Sequence, residues 1–194
     1  LSGRNGAEAT NKWFKTSNKM VDILLPENME KDKYIISSTE GYGFIAKAED
    51  ILTKMTAGKN LINLSEQSDL LSAVKIPDLI TDKTLVVVMS SDNKFVAYPI
   101  SNIKELAKGK GVALMGYNKG GKVISIGITD ENGDIKVVEE KGNIITITWK
   151  QIQKVIIAER KSTAKGKEIN KMKNISGFYF EEFDISANIV KRNE

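Results

Sequence analysis

The side chains best placed to do chemistry in this chain are lysines set beside glycines. Ala107-Lys108-Gly109-Lys110-Gly111-Val112-Ala113-Leu114 is a basic, glycine-bearing loop that runs straight into an apolar stretch. Thr56-Ala57-Gly58-Lys59-Asn60-Leu61-Ile62 and Thr163-Ala164-Lys165-Gly166-Lys167-Glu168-Ile169 repeat the device, and Ser2-Gly3-Arg4-Asn5-Gly6 is a weaker form of it. Glycine lets backbone amides approach an anion, and lysine adds a mobile point charge, so the chemistry implied is phosphate recognition. One Gly-Lys pair is ordinary turn chemistry with a solvated lysine. Three copies at matched positions, with charge collected around them, favour a site. None is a Walker loop, because no Gly-x-x-x-x-Gly-Lys-Ser/Thr pattern occurs.

Other chemistries find little footing. The chain has no cysteine and no histidine, which removes thiolate nucleophiles, disulfides, the usual base near neutral pH and the usual zinc ligands. Its serines therefore lack a histidine partner, and no carboxylate pair is singled out for acid–base work. Asp130-Glu131-Asn132-Gly133-Asp134 lacks the alternating ligands and closing glutamate of a calcium loop, and Asn132-Gly133 reads as a hairpin turn. A fragment that is not an enzyme and uses no metal or cofactor is expected. No apolar run reaches the roughly 18 residues that would cross a bilayer, so no membrane partner is expected. The setting expected is cytoplasmic.

Charge is segregated along the chain. The formal net charge is +4, but residues 150–173 carry +6 and residues 94–122 carry +5, while residues 130–140 between them carry −4. Positive charge thus gathers around the Gly-Lys loops, and negative charge lies at the other end of the repeat.

The elements that must position these loops recur with them. Gly3, Gly58, Gly109 and Gly166 are separated by 55, 51 and 57 residues, a period typical of propellers and arrays. In the middle unit, 84–90 reads as a buried strand, Asp92-Asn93 as a turn and 95–99 as the return. A connector at 100–106, the Gly-Lys loop, and strands at 112–117 and 123–128 follow. The preceding unit matches it with strands at 33–38, 43–47, 61–64 and 71–76. The last has strands at 135–138, 144–149, 168–172 and 178–183, with a turn at 141–143. Residues 152, 155, 156 and 159 have helical spacing, so a short helix competes in the connector after Trp149. Gly41-Tyr42-Gly43-Phe44 is expected to relieve crowding in a hairpin while its aromatics pack inside. Trp13 and Trp149 are expected to fill gaps between units.

The N-terminus offers a strand near Trp13-Phe14 and another at 20–25, but no outgoing hairpin, as expected of a piece cut from a longer protein. The expected organisation is a partial blade at 1–28, blades at 29–80, 81–133 and 134–184, and a tail at 185–194. Four strands per unit, repeated radially, is blade logic: each small sheet is covered by its neighbours. The fold class is all-β, with about three complete blades plus the partial one.

These residues carry a family resemblance. Ser38-Thr39-Glu40-Gly41-Tyr42-Gly43-Phe44, Gly58-Lys59-Asn60-Leu61-Ile62, and Phe95-Val96-Ala97-Tyr98-Pro99-Ile100 leading into Lys108-Gly109-Lys110-Gly111 resemble the C-terminal domain of the A subunit of DNA topoisomerase IV. That domain is closely similar to the one in the A subunit of DNA gyrase. The likeness runs to about residue 184. It implies a β-pinwheel, a propeller-like ring whose blades exchange a strand, with a basic rim that binds and bends double-stranded DNA and presents it to a catalytic core. It places Arg4, Lys59, Lys108, Lys110, Lys165 and Lys167 on that rim. The neighbouring basic residues Lys54, Lys119, Lys122, Arg160 and Lys161 complete the candidate DNA-binding set. The Gln-Arg-Arg-Gly-Gly-Lys-Gly box of gyrase is absent, which favours topoisomerase IV over the gyrase alternative. The resemblance further implies an ATP-dependent type IIA topoisomerase parent whose catalytic sites lie on other segments. Its implied partners are a second copy of the DNA-cleaving A subunit plus the separate ATPase subunit, and its implied association is with the nucleoid. A competitor from another class is a protein-interaction propeller, which needs an aromatic platform that a chain with 7% aromatics scarcely offers.

Overall fold

In the computed structural model, residues 21–55, 58–131, 133–139, 143–160, 164–169 and 175–180 are described. The architecture follows from three hairpins. The first is β1 (Lys33–Ser37) and β2 (Tyr42–Lys47), the second β4 (Leu85–Ser90) and β5 (Lys94–Pro99), the third β8 (Ile135–Glu139) and β9 (Ile144–Ile147). Each pairs antiparallel in simple register, for instance Ile36 with Phe44, Val88 with Val96 and Val137 with Ile145. The first two turns close through left-handed residues, Gly41 (φ 78°) and Asn93 (φ 60°). Glycine adopts that conformation freely, and asparagine is among the few other residues enriched in it.

Successive side chains of a strand point to opposite faces, and here both faces are buried. Val86 and Val88 enter one apolar cluster with Ile35, Ile45, Val96 and Tyr98, so this cluster lies between the first and second sheets. Leu85, Val87 and Met89 enter another with Phe95, Ile135, Val137 and Ile147, between the second and third. Hence β4 reads as an unbroken apolar run rather than an alternating one. Each such side chain contributes about 1.5–3 kcal/mol when fully buried.

Each hairpin gains a further strand on its outgoing side. That strand is β3 (Val74–Lys75) on β1, β7 (Val123–Thr129) on β4 and β11 (Ile175–Phe180) on β8. The return strand is completed from the next unit: β6 (Val112–Ala113) crosses back to β2, and β10 (Lys167–Glu168) crosses back to β5. The orders are β3-β1-β2-β6, β10-β5-β4-β7 and, among the described residues, β11-β8-β9. The connectors cross with them. Glu105 bridges Ile45 and Ile156 bridges Ala97, both in parallel. The outer edges of β2 and β5 are therefore covered by the following unit, which disposes of an exposed strand edge.

Several elements are shorter than their sequence suggests. Of the expected strand at 168–172, Glu168 pairs within β10, and 170–172 lie outside the described residues. The expected strand at 61–64 is a single bridge at Ile62, and those at 71–76 and 112–117 shrink to β3 and β6. These segments touch a neighbouring edge for two residues and then leave it. At 144–149 the strand stops at Ile147, because Thr148 and Gln151 form a reciprocal capping box that starts helix α2 (Trp149–Ile152). A 3₁₀ turn (Gln153–Val155) continues it, which accounts for residues 152 and 155 of the helical spacing, whereas Ile156 is already extended. A second short helix, α1 (Ala48–Ile51), opens the first connector. Residues 21–25 form no strand, and Pro26 follows them. The strand near Trp13-Phe14 and the tail at 185–194 lie outside the described residues, as does most of the turn at 141–143.

Candidate nucleic-acid interface

The Gly-Lys loops sit where a strand of one unit joins the sheet of the one before it. Gly111 (φ 81°) lies so close to β2 that a Cβ on it would stand 2.2 Å from the Gly43 carbonyl oxygen. Gly166 (φ 69°) repeats this against β5, with the Phe95 carbonyl oxygen at 2.4 Å. The sequence-based match of Gly109 to Gly166 is corrected accordingly: Gly111 is the equivalent residue, because Val112 pairs with Gly43 as Lys167 pairs with Phe95. Gly109 (φ 135°) has open space around its Cβ position and is an additional turn glycine.

Backbone hydrogen bonds tie the loops into a row. Gly109 donates to the Leu61 carbonyl (3.0 Å), and Asn63 donates to the Gly109 carbonyl (3.1 Å). One unit further on, Gly116 donates to the Ala164 carbonyl (2.8 Å). Asn63 and Gly116 are thus counterparts, which makes Gly58 (φ 80°) the counterpart of Gly111. Three basic loops from three successive units follow one another at the hairpin-tip end of the sheets.

At the first corner, Lys110 Nζ stands 4.0 Å from the centre of the Tyr42 ring and 3.4 Å from the Glu40 carboxylate. The Tyr117 hydroxyl donates to the Glu40 carbonyl (2.9 Å). At the second, Asp92 accepts hydrogen bonds from Lys94 Nζ (2.7 Å), the Asn118 side-chain amide (2.8 Å) and Ser90 Oγ. Burial pushes the Asp92 carboxyl up, but the bonds from Lys94 and Ser90 outweigh it and hold the group below the usual carboxylate range, so it is anionic near neutrality. Lys165 Nζ donates to the other end of the same amide, Asn118 Oδ1 (3.2 Å).

No protein-family model matches the chain. It is similar to the A subunit of DNA topoisomerase 4 from Neisseria gonorrhoeae, 27% identical over 131 residues, which is 66% of this chain and 17% of that protein. With the Haemophilus influenzae protein of the same name it shares 38% identity over 82 residues, 42% of this chain and 11% of that protein. The chain thus spans well under a fifth of the length of these relatives. Among solved structures it superposes on the E. coli ParC C-terminal domain with TM-score 0.68 and 22% identity, covering 84% of this chain and 65% of that one. For a DNA gyrase A C-terminal domain the values are 0.61 and 17%, covering 82% and 52%. The chain has the β-pinwheel fold of these C-terminal domains.

Within the pinwheel the candidate residues separate into groups. Lys108, Lys110, Lys119, Lys122, Lys165 and Lys167 are exposed on or beside the corner loops. Lys122 is fixed by its backbone, which exchanges hydrogen bonds with Ser91 (2.8 and 3.1 Å). Lys59 and Lys54 are also exposed, and Lys59 Nζ donates to the Asp50 carbonyl of its own connector. Arg160 is a brace rather than an outstretched cation: it is half-buried, and its guanidinium donates to the carbonyls of Ala113 and Asn102 (3.3 Å for the latter). Arg4 and Lys161 lie outside the described residues. Among the described residues no group of acids is arranged to hold a metal ion, and no helix is long and apolar enough to cross a membrane. At 130–134 the chain turns, with Gly133 donating to the Asp130 carbonyl (3.2 Å).

Sequence reasoning missed the partners of the lysines. Tyr42, expected inside with Phe44, is half-buried beneath Lys110, whereas Phe44 is buried with Tyr34 and Ile36 on the face of the first sheet turned away from the second, and the half-buried Trp149 packs between the second and third sheets. Glu40, Asp92 and Asn118 carried no signal singly. Aligning Ser38-Thr39-Glu40-Gly41-Tyr42 with Ser90-Ser91-Asp92-Asn93-Lys94 would have shown an acid at the same place in both turns.

Proposed function

We propose that this chain is a non-catalytic module that binds and bends duplex DNA along the row of strand-exchange corners. It acts as the C-terminal domain of the A subunit of a type IIA topoisomerase of the topoisomerase IV kind. The observation that carries this reading is the succession of basic loops joined from unit to unit by backbone hydrogen bonds at the strand-exchange corners. A row of that kind suits a polyanion whose charges repeat along a bent path. Contacts of lysine with phosphate position DNA without reading its bases, so binding is weakly selective for sequence. In a longer parent the module presents a DNA segment to the catalytic core, and its partners there are a second copy of the parent chain plus the ATPase subunit.

If about six lysines neutralise phosphates, log affinity for a linear duplex falls against log salt with a slope near −5. Replacing Lys108 and Lys110 with Glu should weaken binding to unrelated sequences alike and flatten that slope. A slope near zero in the unmodified chain rules out phosphate contact, and a loss confined to one sequence points to base readout instead.

A further inference from the structure

The rim lysines at both corners are not bare. We propose that Glu40 and Asp92 are resident counter-anions of the rim, holding Lys110 directly and Lys165 through Asn118, so that DNA binds by exchanging carboxylate for phosphate. This deepens the DNA-binding reading and rests on it.

The two acids occupy one structural position. Each is two residues before the first paired residue of its return strand that meets the incoming segment of the next unit, Tyr42 and Lys94 being the residues opposite Ala113 and Glu168. Each is followed by a residue of positive φ that turns the tip. Each is linked to the lysine that immediately precedes the exchange glycine: Glu40 directly to Lys110 before Gly111, and Asp92, whose direct ion pair is with Lys94, through Asn118 to Lys165 before Gly166. At the first corner the contact is direct but loose, 3.4 Å between groups 46% and 31% exposed, and the ammonium also leans on the Tyr42 ring. A pair that open contributes little to stability and exchanges readily. At the second corner one amide serves both charges, donating to Asp92 and accepting from Lys165. A phosphate oxygen offers lysine the same acceptor chemistry as a carboxylate and adds the release of ions condensed on DNA, so it can take the carboxylate's place.

The consequence runs against simple charge deletion at a distance: removing the acid tightens DNA binding only while its lysine is present. Asn118 provides the cleaner variant, because Asn118→Ala detaches Lys165 from Asp92 without changing any charge. The test measures affinity of the 194-residue chain for a short linear duplex at low and moderate salt, with thermal melts confirming that each variant folds. Glu40→Gln should bind about two- to fivefold tighter, the range set by a weak exposed pair. In a Lys110→Met background the same change should have no effect. Asn118→Ala should tighten binding by a similar factor. Equal tightening by Glu40→Gln with and without Lys110, or unchanged or weaker binding by Asn118→Ala, overturns the counter-anion proposal while leaving DNA binding intact. An unmodified chain that fails to bind duplex DNA overturns the functional reading and this proposal with it.

Discussion

At the scale of single residues, glycines at the exchange corners decide whether the sheets can be completed. Gly111 and Gly166 combine left-handed backbone with a carbonyl where a Cβ would sit, whereas Gly58 has the same backbone with nothing within 4 Å. Left-handed strain alone costs about 1–2 kcal/mol, and forced overlap adds about 1–3 kcal/mol more. Urea unfolding should therefore show Gly111→Ala and Gly166→Ala losing about 3 kcal/mol or more, and Gly58→Ala losing about 1–2 kcal/mol. Equal losses at Gly58 and Gly111 would contradict the close approach to β2. Tyr98 makes a second residue-scale case. Its ring is fully buried, its hydroxyl has no hydrogen-bond partner, and burial holds its ionisation far above that of free tyrosine, opposed only by the nearby Arg160. Tyr98→Phe should be neutral or stabilising by about 1 kcal/mol, since an unpaired buried hydroxyl carries a desolvation cost. The pH dependence has a definite sign. The unfolded chain loses the Tyr98 proton above about pH 10 while the folded chain keeps it, so stability is full below that pH and declines above it. The Phe variant should decline less steeply, as measured by unfolding between neutral and alkaline pH.

At the scale of elements, what the sequence disclosed was the hairpin, and what it concealed was the exchange. Both faces of β4 are buried and each hairpin is made of neighbouring residues, so an apolar run, a turn and a second run were enough to place them. Val112–Ala113 and Lys167–Glu168 are different. Two residues of pairing leave no periodic pattern, and their partners lie in another unit, so they read as long strands of their own blade. The Gly109 misalignment has the same origin, because only the backbone contact to Gly43 distinguishes Gly111 from its neighbour. Arg160 illustrates the connector's part. Its link from Ile156 to Gly166 is longer than that from Glu105 to Gly111, and the arginine ties the slack to Asn102 of the second unit and to β6 in the first sheet. Arg160→Ala should cost about 1.5–3 kcal/mol, the range for hydrogen bonds from charged groups. Arg160→Lys should recover little of it, because a single ammonium cannot reproduce the planar fork. Amide exchange at the β6 segment should accelerate in both variants. Protection there equal to that of the unmodified chain would contradict the brace.

At the scale of the whole molecule, the basic loops were visible as a repeat, but their common edge was not. Spacing alone cannot say that Gly109 bonds to Leu61 of the unit before it or that Gly116 bonds to Ala164 of the unit after it; that follows from the exchange of strands. Nor could it show that the edge is uneven. Asp69 holds in the first sheet the place Lys122 holds in the second, each exchanging backbone and side-chain bonds with the Thr39 or Ser91 of its own tip. Cationic character therefore rises from the first sheet to the second, and DNA should be gripped more firmly around Lys122 and Lys165 than around Lys59. The central claim is that the row of corners forms a curved track for duplex DNA. Ligation of short linear DNA into minicircles in the presence of the chain tests it most directly. Faster circularisation, accompanied by a shifted distribution of linking number, is the result expected of DNA bent along the rim. DNA that is bound at the same protein concentrations yet circularises no faster than free DNA would contradict it.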